Sequence, residues 1–139
     1  MKKTTKIFLI ISVIMLSLIA LSSIVFAEST TYTSYLNMLS GNTTLKGSTR
    51  QYNQRNHEIS YTVTQLDAPT VMYTSLEKDG FFSDTTVYEQ TVEFNSANQT
   101  YTYYMGNHDT GKYYYYFSTF GLGHCGAFYA EPVNMKCYD

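Results

Sequence analysis

The stretch HEISYTVTQL, at residues 57–66, decides the fold class. Ile59, Tyr61 and Val63 alternate in it with small polar or charged residues. A hydrophobic period of two is typical of a β-strand with one buried face and one exposed face. The segment therefore predicts a strand that turns Ile59, Tyr61 and Val63 toward the core.

The same alternation recurs along the rest of the chain after residue 27, where β-branched and aromatic residues dominate. Short polar runs such as Asp67-Ala68-Pro69 and Lys78-Asp79-Gly80 separate the strands, because these residues favour turns. Seven main strands are predicted, over residues 32–39, 57–66, 70–77, 85–94, 100–105, 112–120 and 127–138. The last strand is expected to be broken near Pro132, and the polar loop 40–56 to hold at most a short edge strand around 44–52.

Seven short strands in one domain of 112 residues, 28–139, favour an all-β fold. The predicted architecture is an antiparallel two-sheet β-sandwich, and a small β-barrel is the alternative.

Residues 109–115, DTGKYYY, resemble the D-x-G-x-Y pattern that opens the sixth strand of immunoglobulin-like domains. The resemblance implies that Asp109 and Gly111 shape the turn into the strand, and that the Tyr113 hydroxyl closes a tyrosine corner. The chain departs from that family because Tyr115 replaces its second cysteine and tryptophan is absent. As a whole, the chain also looks like small secreted β-proteins of Gram-positive bacteria, a likeness that implies export but no activity.

The first 27 residues are typical of a secretory signal peptide, since Lys2, Lys3 and Lys6 precede an apolar run that ends at Ala27. Cleavage after Ala27 would release residues 28–139 as a secreted domain. The apolar part, residues 7–26, is also long enough to span a bilayer, so a retained anchor is the alternative. Both possibilities place the domain outside the membrane.

Charge excludes one class of partner. Residues 28–139 carry six basic and eleven acidic side chains, a net charge of −5. Nucleic-acid binding depends on clustered lysines and arginines, so no nucleic-acid partner is expected. Lys46, Arg50 and Arg55 are the basic residues that lie closest together, and they are predicted to form a solvated loop.

The two cysteines, Cys125 and Cys137, are an even pair in a chain predicted to enter an oxidising compartment. They are expected to form a disulfide, which would add about 3 kcal/mol of stability. A catalytic thiol beside His124 is not expected, because adjacent residues on a strand point to opposite faces.

The sequence contains no recognisable catalytic motif. The histidines His57, His108 and His124 are isolated along the chain, and a structural or incidental role is predicted for them. A secreted hydrolase that depends on His108 or His124 is the least favoured function.

Four loop residues, Asp79, Asp84, Asn107 and Asp109, carry the oxygen ligands that calcium prefers. The same residue types are common in turns, because their side chains cap the local backbone. The spacing of an EF-hand is missing, and neither a metal nor a cofactor is predicted.

All 15 tyrosines lie after residue 27. In the run Tyr113 to Phe117, strand alternation turns Tyr114 and Tyr116 outward if Tyr113 faces the core. If the last strand pairs beside this one, its outward side chains join the same face. The predicted ligand-binding platform comprises Tyr114, Tyr116, Tyr138, Lys136 and Asn134. The alternative is that these tyrosines are ordinary strand residues.

The sequence thus predicts a secreted binding or interaction module that contacts a glycan or a protein outside the cell, without enzymatic activity. A small secreted toxin or bacteriocin-like effector is the alternative. Contact with a membrane is expected only through an uncleaved anchor or in the toxin alternative.

Overall fold

The computed structural model describes residues 28–122 and 125–139. The predicted signal peptide or anchor and His124 lie outside the described residues. The strands within the described part are β1 (Ser29–Met38), β2 (Thr44–Lys46), β3 (Arg50–Tyr52), β4 (Asn56–Leu66), β5 (Thr70–Lys78), β6 (Thr85–Phe94), β7 (Gln99–Asn107), β8 (Gly111–Ser118) and β9 (Phe128–Tyr138). None of the residues described here forms a helix able to cross a membrane.

The strands form two antiparallel sheets that are not closed into a barrel, which confirms the predicted β-sandwich. Sheet A has the order β1-β9-β4-β7. Sheet B has the order β2-β8-β5-β6, and β3 pairs with the same edge of β8 as β2. The predicted main strands correspond to β1 and β4–β9, while the polar loop 40–56 supplies the short strands β2 and β3.

The core lies between the two sheets. Ile59, Tyr61 and Val63 of β4 are fully buried, as their alternation predicted. Val92 and Phe94 of β6 meet them from sheet B and are also fully buried. Burial of such side chains supplies the main stabilising free energy, at about 1.5–3 kcal/mol for each.

The register of the strands defines two ends of the sandwich. At the proximal end, Ser29 begins β1 opposite Tyr138, and Lys78 ends β5 opposite Tyr113. The loops at this end are residues 53–55, 79–84 and 108–110. At the distal end, Met38 ends β1 opposite Phe128. Residues 119–122, which follow β8, and 125–127, which precede β9, belong to the same distal end.

The predicted Cys125–Cys137 disulfide is wrong, because both cysteines are free and buried. Cys125 precedes β9 at the distal end, whereas Cys137 lies near the proximal end of the same strand. Cys137 lies nine residues beyond Phe128, the first residue of β9, and nine extended residues span roughly 30 Å. A disulfide requires the two Cα atoms to lie within about 7 Å of each other. The Cys137 thiol instead donates a hydrogen bond to Gln54 Oε1 at 2.8 Å.

Free thiols give a direct prediction for the purified protein. Alkylation in denaturant without a reductant is expected to add two groups to the intact mass, because neither sulfur is bonded. Reducing agents should leave the urea midpoint unchanged. A mass without added groups, or a midpoint that falls on reduction, would contradict the free state.

Candidate functional site

The predicted tyrosine platform does not form. Strand β9 pairs with β1 and β4 in sheet A, and β8 pairs with β5, β2 and β3 in sheet B. Tyr114 and Tyr116 therefore face away from Asn134, Lys136 and Tyr138, on opposite outer faces of the sandwich. The platform required the last strand to pair beside β8, and this condition is not met, because β8 lies in sheet B and β9 lies in sheet A.

The two β8 tyrosines also differ from one another. Tyr114 is only 6% exposed, because the Lys46 Nζ atom lies 3.9 Å from the centre of its ring. Its hydroxyl donates a hydrogen bond to Asp84 Oδ2 at 2.9 Å. Tyr116 is 37% exposed and is the outward tyrosine of β8 that remains accessible.

On the outer face of sheet A, the three other platform residues take part in local contacts. The Thr33 hydroxyl donates a hydrogen bond to Asn134 Oδ1 at 2.8 Å. Lys136 Nζ lies 5.2 Å from the centre of the Tyr138 ring. All three side chains are half-buried, so this face presents little free aromatic surface.

Tyr113 lies in the core, and its hydroxyl donates a hydrogen bond to the carbonyl oxygen of Asp109 at 2.6 Å. This bond is the one that a tyrosine corner requires. The Asp109 carboxylate pairs with Arg55 at 3.1 Å, and Gly111 lies opposite Tyr52 in the register. These residues fix the entrance to β8 and have a structural role.

His57 and His108 are not isolated from one another in space. The rings of His57 and His108 lie 5.6 Å apart, because the start of β4 pairs with the end of β7. His57 is fully buried, and neither of its ring nitrogens has a hydrogen-bond partner in the described part. Burial, together with the nearby His108, lowers the pKa of His57 to about 4.

His108 bonds through Nε2 to the carbonyl oxygen of Met105 at 2.8 Å. Within the described chain, neither His57 nor His108 is hydrogen-bonded to a carboxylate or to a hydroxyl group. General-base catalysis needs a histidine that is oriented by such a partner and open to substrate. His57 and His108 do not form such a site within the described residues.

Three of the four loop residues with calcium-type ligands have side-chain partners, and Asp79 bonds through its backbone N–H to the Lys112 carbonyl. Asp84 binds Tyr114 and Lys46, Asp109 pairs with Arg55, and Asn107 donates a hydrogen bond to Asn56. Among the residues described, no three His, Cys, Asp or Glu side chains lie close enough to hold a metal ion.

The two long edges of the sandwich differ sharply. At the edge formed by β6 and β7, the Tyr103 hydroxyl donates to the Glu93 carbonyl at 2.9 Å and accepts from the Glu93 N–H at 3.0 Å. The Tyr101 hydroxyl accepts from the N–H groups of Asn95 and Ser96. These bonds tie the sheets together, and we call this the closed edge.

The opposite edge, formed by β1 with β2 and β3, is open. The Tyr32 hydroxyl donates to the Gln51 carbonyl at 2.5 Å near the proximal end. Toward the distal end, the strands separate around a groove of about 330 Å³. Its floor is apolar, and the residues that form it are Leu36, Leu45, Phe117, Val133 and Met135. This volume falls in the range of small-ligand sites.

Two local irregularities shape the groove. The register between β1 and β9 shifts between Ser34 and Leu36, where Glu131 and Pro132 form a β-bulge. A proline inside a central strand is tolerated at such a bulge. Opposite it, the Gly47 N–H donates to the Tyr115 carbonyl at 2.8 Å, and a Cβ on Gly47 would lie 3.0 Å from that oxygen. Glycine thus lets the wall bend between β2 and β3.

The rim of the groove carries a cation, Arg50, that no carboxylate of the described residues neutralises. Arg50 lies over the Tyr32 ring, 4.8 Å from its centre, and no acidic group of the described residues lies within salt-bridge distance. Lys46, also on the rim, pairs with Asp84 at 3.5 Å. Arg50 is therefore free to attract a ligand carboxylate.

Strand β1, which forms one wall, has an unprotected edge. Its sequence, STTYTSYLNM, contains no charged residue and no proline, and β9 is its sole partner in the sheet. Natural sheets usually protect such edges with charges or proline, because unpaired backbone groups recruit other strands. Tyr35, at the mouth of the groove, is 64% exposed.

Comparison with protein-family models, curated protein sequences and solved structures finds no match for this chain. Its functional assignment therefore depends on the groove and on other surfaces of the molecule. The sequence prediction missed the groove, because the uncharged run at residues 29–38 marks an open edge only once the sheet order is known.

Proposed function

We propose that the domain is an extracellular binding module that takes an extended segment of a partner protein into the groove, as an added strand beside β1. The observation that carries this proposal is an uncharged, unpaired edge strand next to an apolar groove. Strand addition combines backbone hydrogen bonds for affinity with pockets for alternate side chains.

The dimensions of the groove indicate how long a bound segment would be and which side chains it would carry. The wall from Ser34 to Asn37 is four residues long. A strand of that length covers roughly 13 Å and turns every second side chain toward the floor. Two apolar side chains would therefore bind there, and an acidic residue beyond them would reach Arg50.

An apolar floor favours a protein segment over a glycan. Leu36, Phe117 and Met135 offer no hydrogen-bond partners for sugar hydroxyls. Burial of an unpaired hydroxyl costs about 1–3 kcal/mol. The expected ligand is thus a peptide with alternating apolar residues and one terminal acid.

The proposal predicts a site-specific loss of peptide binding. The probes are synthetic hexapeptides that alternate valine or leucine with threonine and carry one terminal aspartate, in both chain directions. Binding is expected to shift the amide NMR signals of residues 34–37 and 45–50. Leu45→Lys should weaken binding about tenfold, because its half-buried side chain belongs to the floor.

Thr44→Lys is the matched control, since Thr44 neighbours Leu45 but is exposed and does not line the groove. It should leave the affinity unchanged. Arg50→Glu should weaken peptides that carry the terminal acid and spare those without it. Signal changes around Tyr116 or Tyr138 instead of the groove, or equal affinities for both lysine variants, would refute the proposal.

A further inference from the structure

The loop between β5 and β6 exposes two adjacent aromatic side chains at the proximal end. Phe81 and Phe82 are each 95% exposed, and their rings meet edge to face with centres 4.8 Å apart. We call this pair the Phe81–Phe82 tip. Scattered exposed apolar residues are ordinary, but two neighbouring phenylalanines at a loop apex form a concentrated apolar surface.

The loop is built so that the tip projects from the domain. A Cβ on Gly80 would lie 2.0 Å from the Ser83 carbonyl oxygen, so the tight turn requires glycine. The Asp84 carboxylate accepts hydrogen bonds from the Gly80 N–H at 3.3 Å and from the Tyr114 hydroxyl at 2.9 Å. Lys46 adds an ion pair to Asp84 at 3.5 Å.

A backbone bond completes the attachment of this loop. The Asp79 N–H donates to the Lys112 carbonyl of β8 at 2.9 Å. The base of the loop is thus fixed to β2 and β8, while both rings remain in solvent. Rigid support of an exposed apolar pair indicates a contact surface.

The position of the chain start indicates what this surface meets. Strand β1 begins at Ser29, at the same proximal end as the tip. In the sequence, the apolar segment 7–26 ends three residues earlier. While that segment is in a bilayer, during export or as a retained anchor, the proximal end must lie close to the lipid surface.

We propose that the Phe81–Phe82 tip inserts into the interfacial layer of the bilayer from which the chain emerges, and holds the proximal end against it. Phenylalanine side chains are favourable in this layer, where their apolar surface leaves water. This inference does not depend on the groove, which lies at the open edge of the sandwich.

The charges near the Phe81–Phe82 tip indicate which class of lipid it contacts. Lys46, Lys78 and Lys112 lie beside the base of the loop, and Asp79 and Asp84 lie within the loop itself. Because charges of both signs are mixed there among the described residues, the contact is expected to be apolar, and zwitterionic lipid should suffice.

A protein partner fits the tip less well. Specific protein interfaces bury roughly 800 Å² on each side, and two aromatic side chains supply about half of that. The residues beside the tip, Gly80 and Ser83, add little further contact area.

The absence of tryptophan allows a direct test, because a single introduced indole is then the only tryptophan fluorophore. The full chain with Phe82→Trp is reconstituted in phosphatidylcholine vesicles that contain acyl-chain-brominated phosphatidylcholine. Its emission is expected to shift to the blue and to lose at least about half of its intensity to the bromines. High salt should not reduce this quenching, since the contact is apolar.

Two control variants locate the contact. Asn53→Trp lies in another exposed loop of the same end, and Phe120→Trp replaces an exposed phenylalanine at the distal end. Both should show little quenching. Unquenched emission from Phe82→Trp, equal quenching of Phe82→Trp and Asn53→Trp, or quenching that high salt abolishes would overturn the proposal. Protection of Phe82→Trp only after a soluble protein is added would also overturn it.

Discussion

Lowering the pH from 7 to 4.5 is expected to reduce the free energy of unfolding by about 2.5 kcal/mol through His57 alone. The buried ring has a pKa of about 4, below its ordinary value of 6.5. Between pH 6.5 and pH 4, His57 therefore binds a proton in the unfolded chain but stays mostly neutral in the folded protein. This stability is fully present above pH 6.5 and is lost as the pH falls toward 4.

His57→Phe should remove most of this pH dependence. The His57 ring packs against Tyr52 and Tyr113, with centres 5.0 and 5.2 Å away, so an aromatic replacement retains the packing. At pH 7 the variant should be at least as stable as the native chain, because it removes buried nitrogens that have no partner in the described part. Urea unfolding at pH 7, 6, 5 and 4.5 measures both effects. Parallel stability curves for the two proteins would refute the role of His57.

The strands of this fold could be predicted from sequence because alternation is a local property. Ile59, Tyr61 and Val63 show which face of β4 is buried without reference to any other strand. Turn residues mark the strand ends in the same local way. The sequence also marked Pro132, since proline cannot donate to a central ladder, but it predicted a break there, whereas β9 continues through this position with a β-bulge.

The assignment of strands to sheets was not available from the same signal. A strand has a period of two in either sheet, so alternation cannot show whether β8 and β9 are neighbours. The false disulfide had a similar origin, because Cys125 and Cys137 are close in sequence but lie at opposite ends of an extended strand. The tyrosine platform was predicted wrongly because alternation does not show which strands pair, and β8 and β9 lie in different sheets.

Contacts between residues distant in the sequence determine how exposed individual side chains are. Tyr114 has the outward position in β8 that alternation predicts, yet Asp84 and Lys46, from distant parts of the chain, cover it. The groove was equally hidden, because it needs an open edge between β1 and β2 that no local pattern describes. The uncharged sequence of β1 and the glycine at position 47 indicate this edge only after the sheet order is known.

Two buried tyrosines are expected to respond differently to the loss of a hydroxyl. Tyr61→Phe should lower the free energy of unfolding by about 1–3 kcal/mol, because it leaves the Thr74 hydroxyl buried and unpaired. In the native chain the hydroxyl oxygens of Tyr61 and Thr74 lie 2.8 Å apart, and both residues are fully buried. Tyr115→Phe should be neutral or stabilising, since its buried hydroxyl has no partner among the described residues.

The double variant Tyr61→Phe with Thr74→Val separates the hydrogen bond from the packing. Replacing both partners removes the unpaired group, so most of the stability lost in Tyr61→Phe should return. Urea unfolding of the native chain, Tyr61→Phe, Tyr115→Phe and the double variant provides the four free energies. Equal losses for the two tyrosine variants would show that ring contacts, rather than hydroxyl partners, determine the stability of this core. A double variant no more stable than Tyr61→Phe would contradict the specific bond to Thr74.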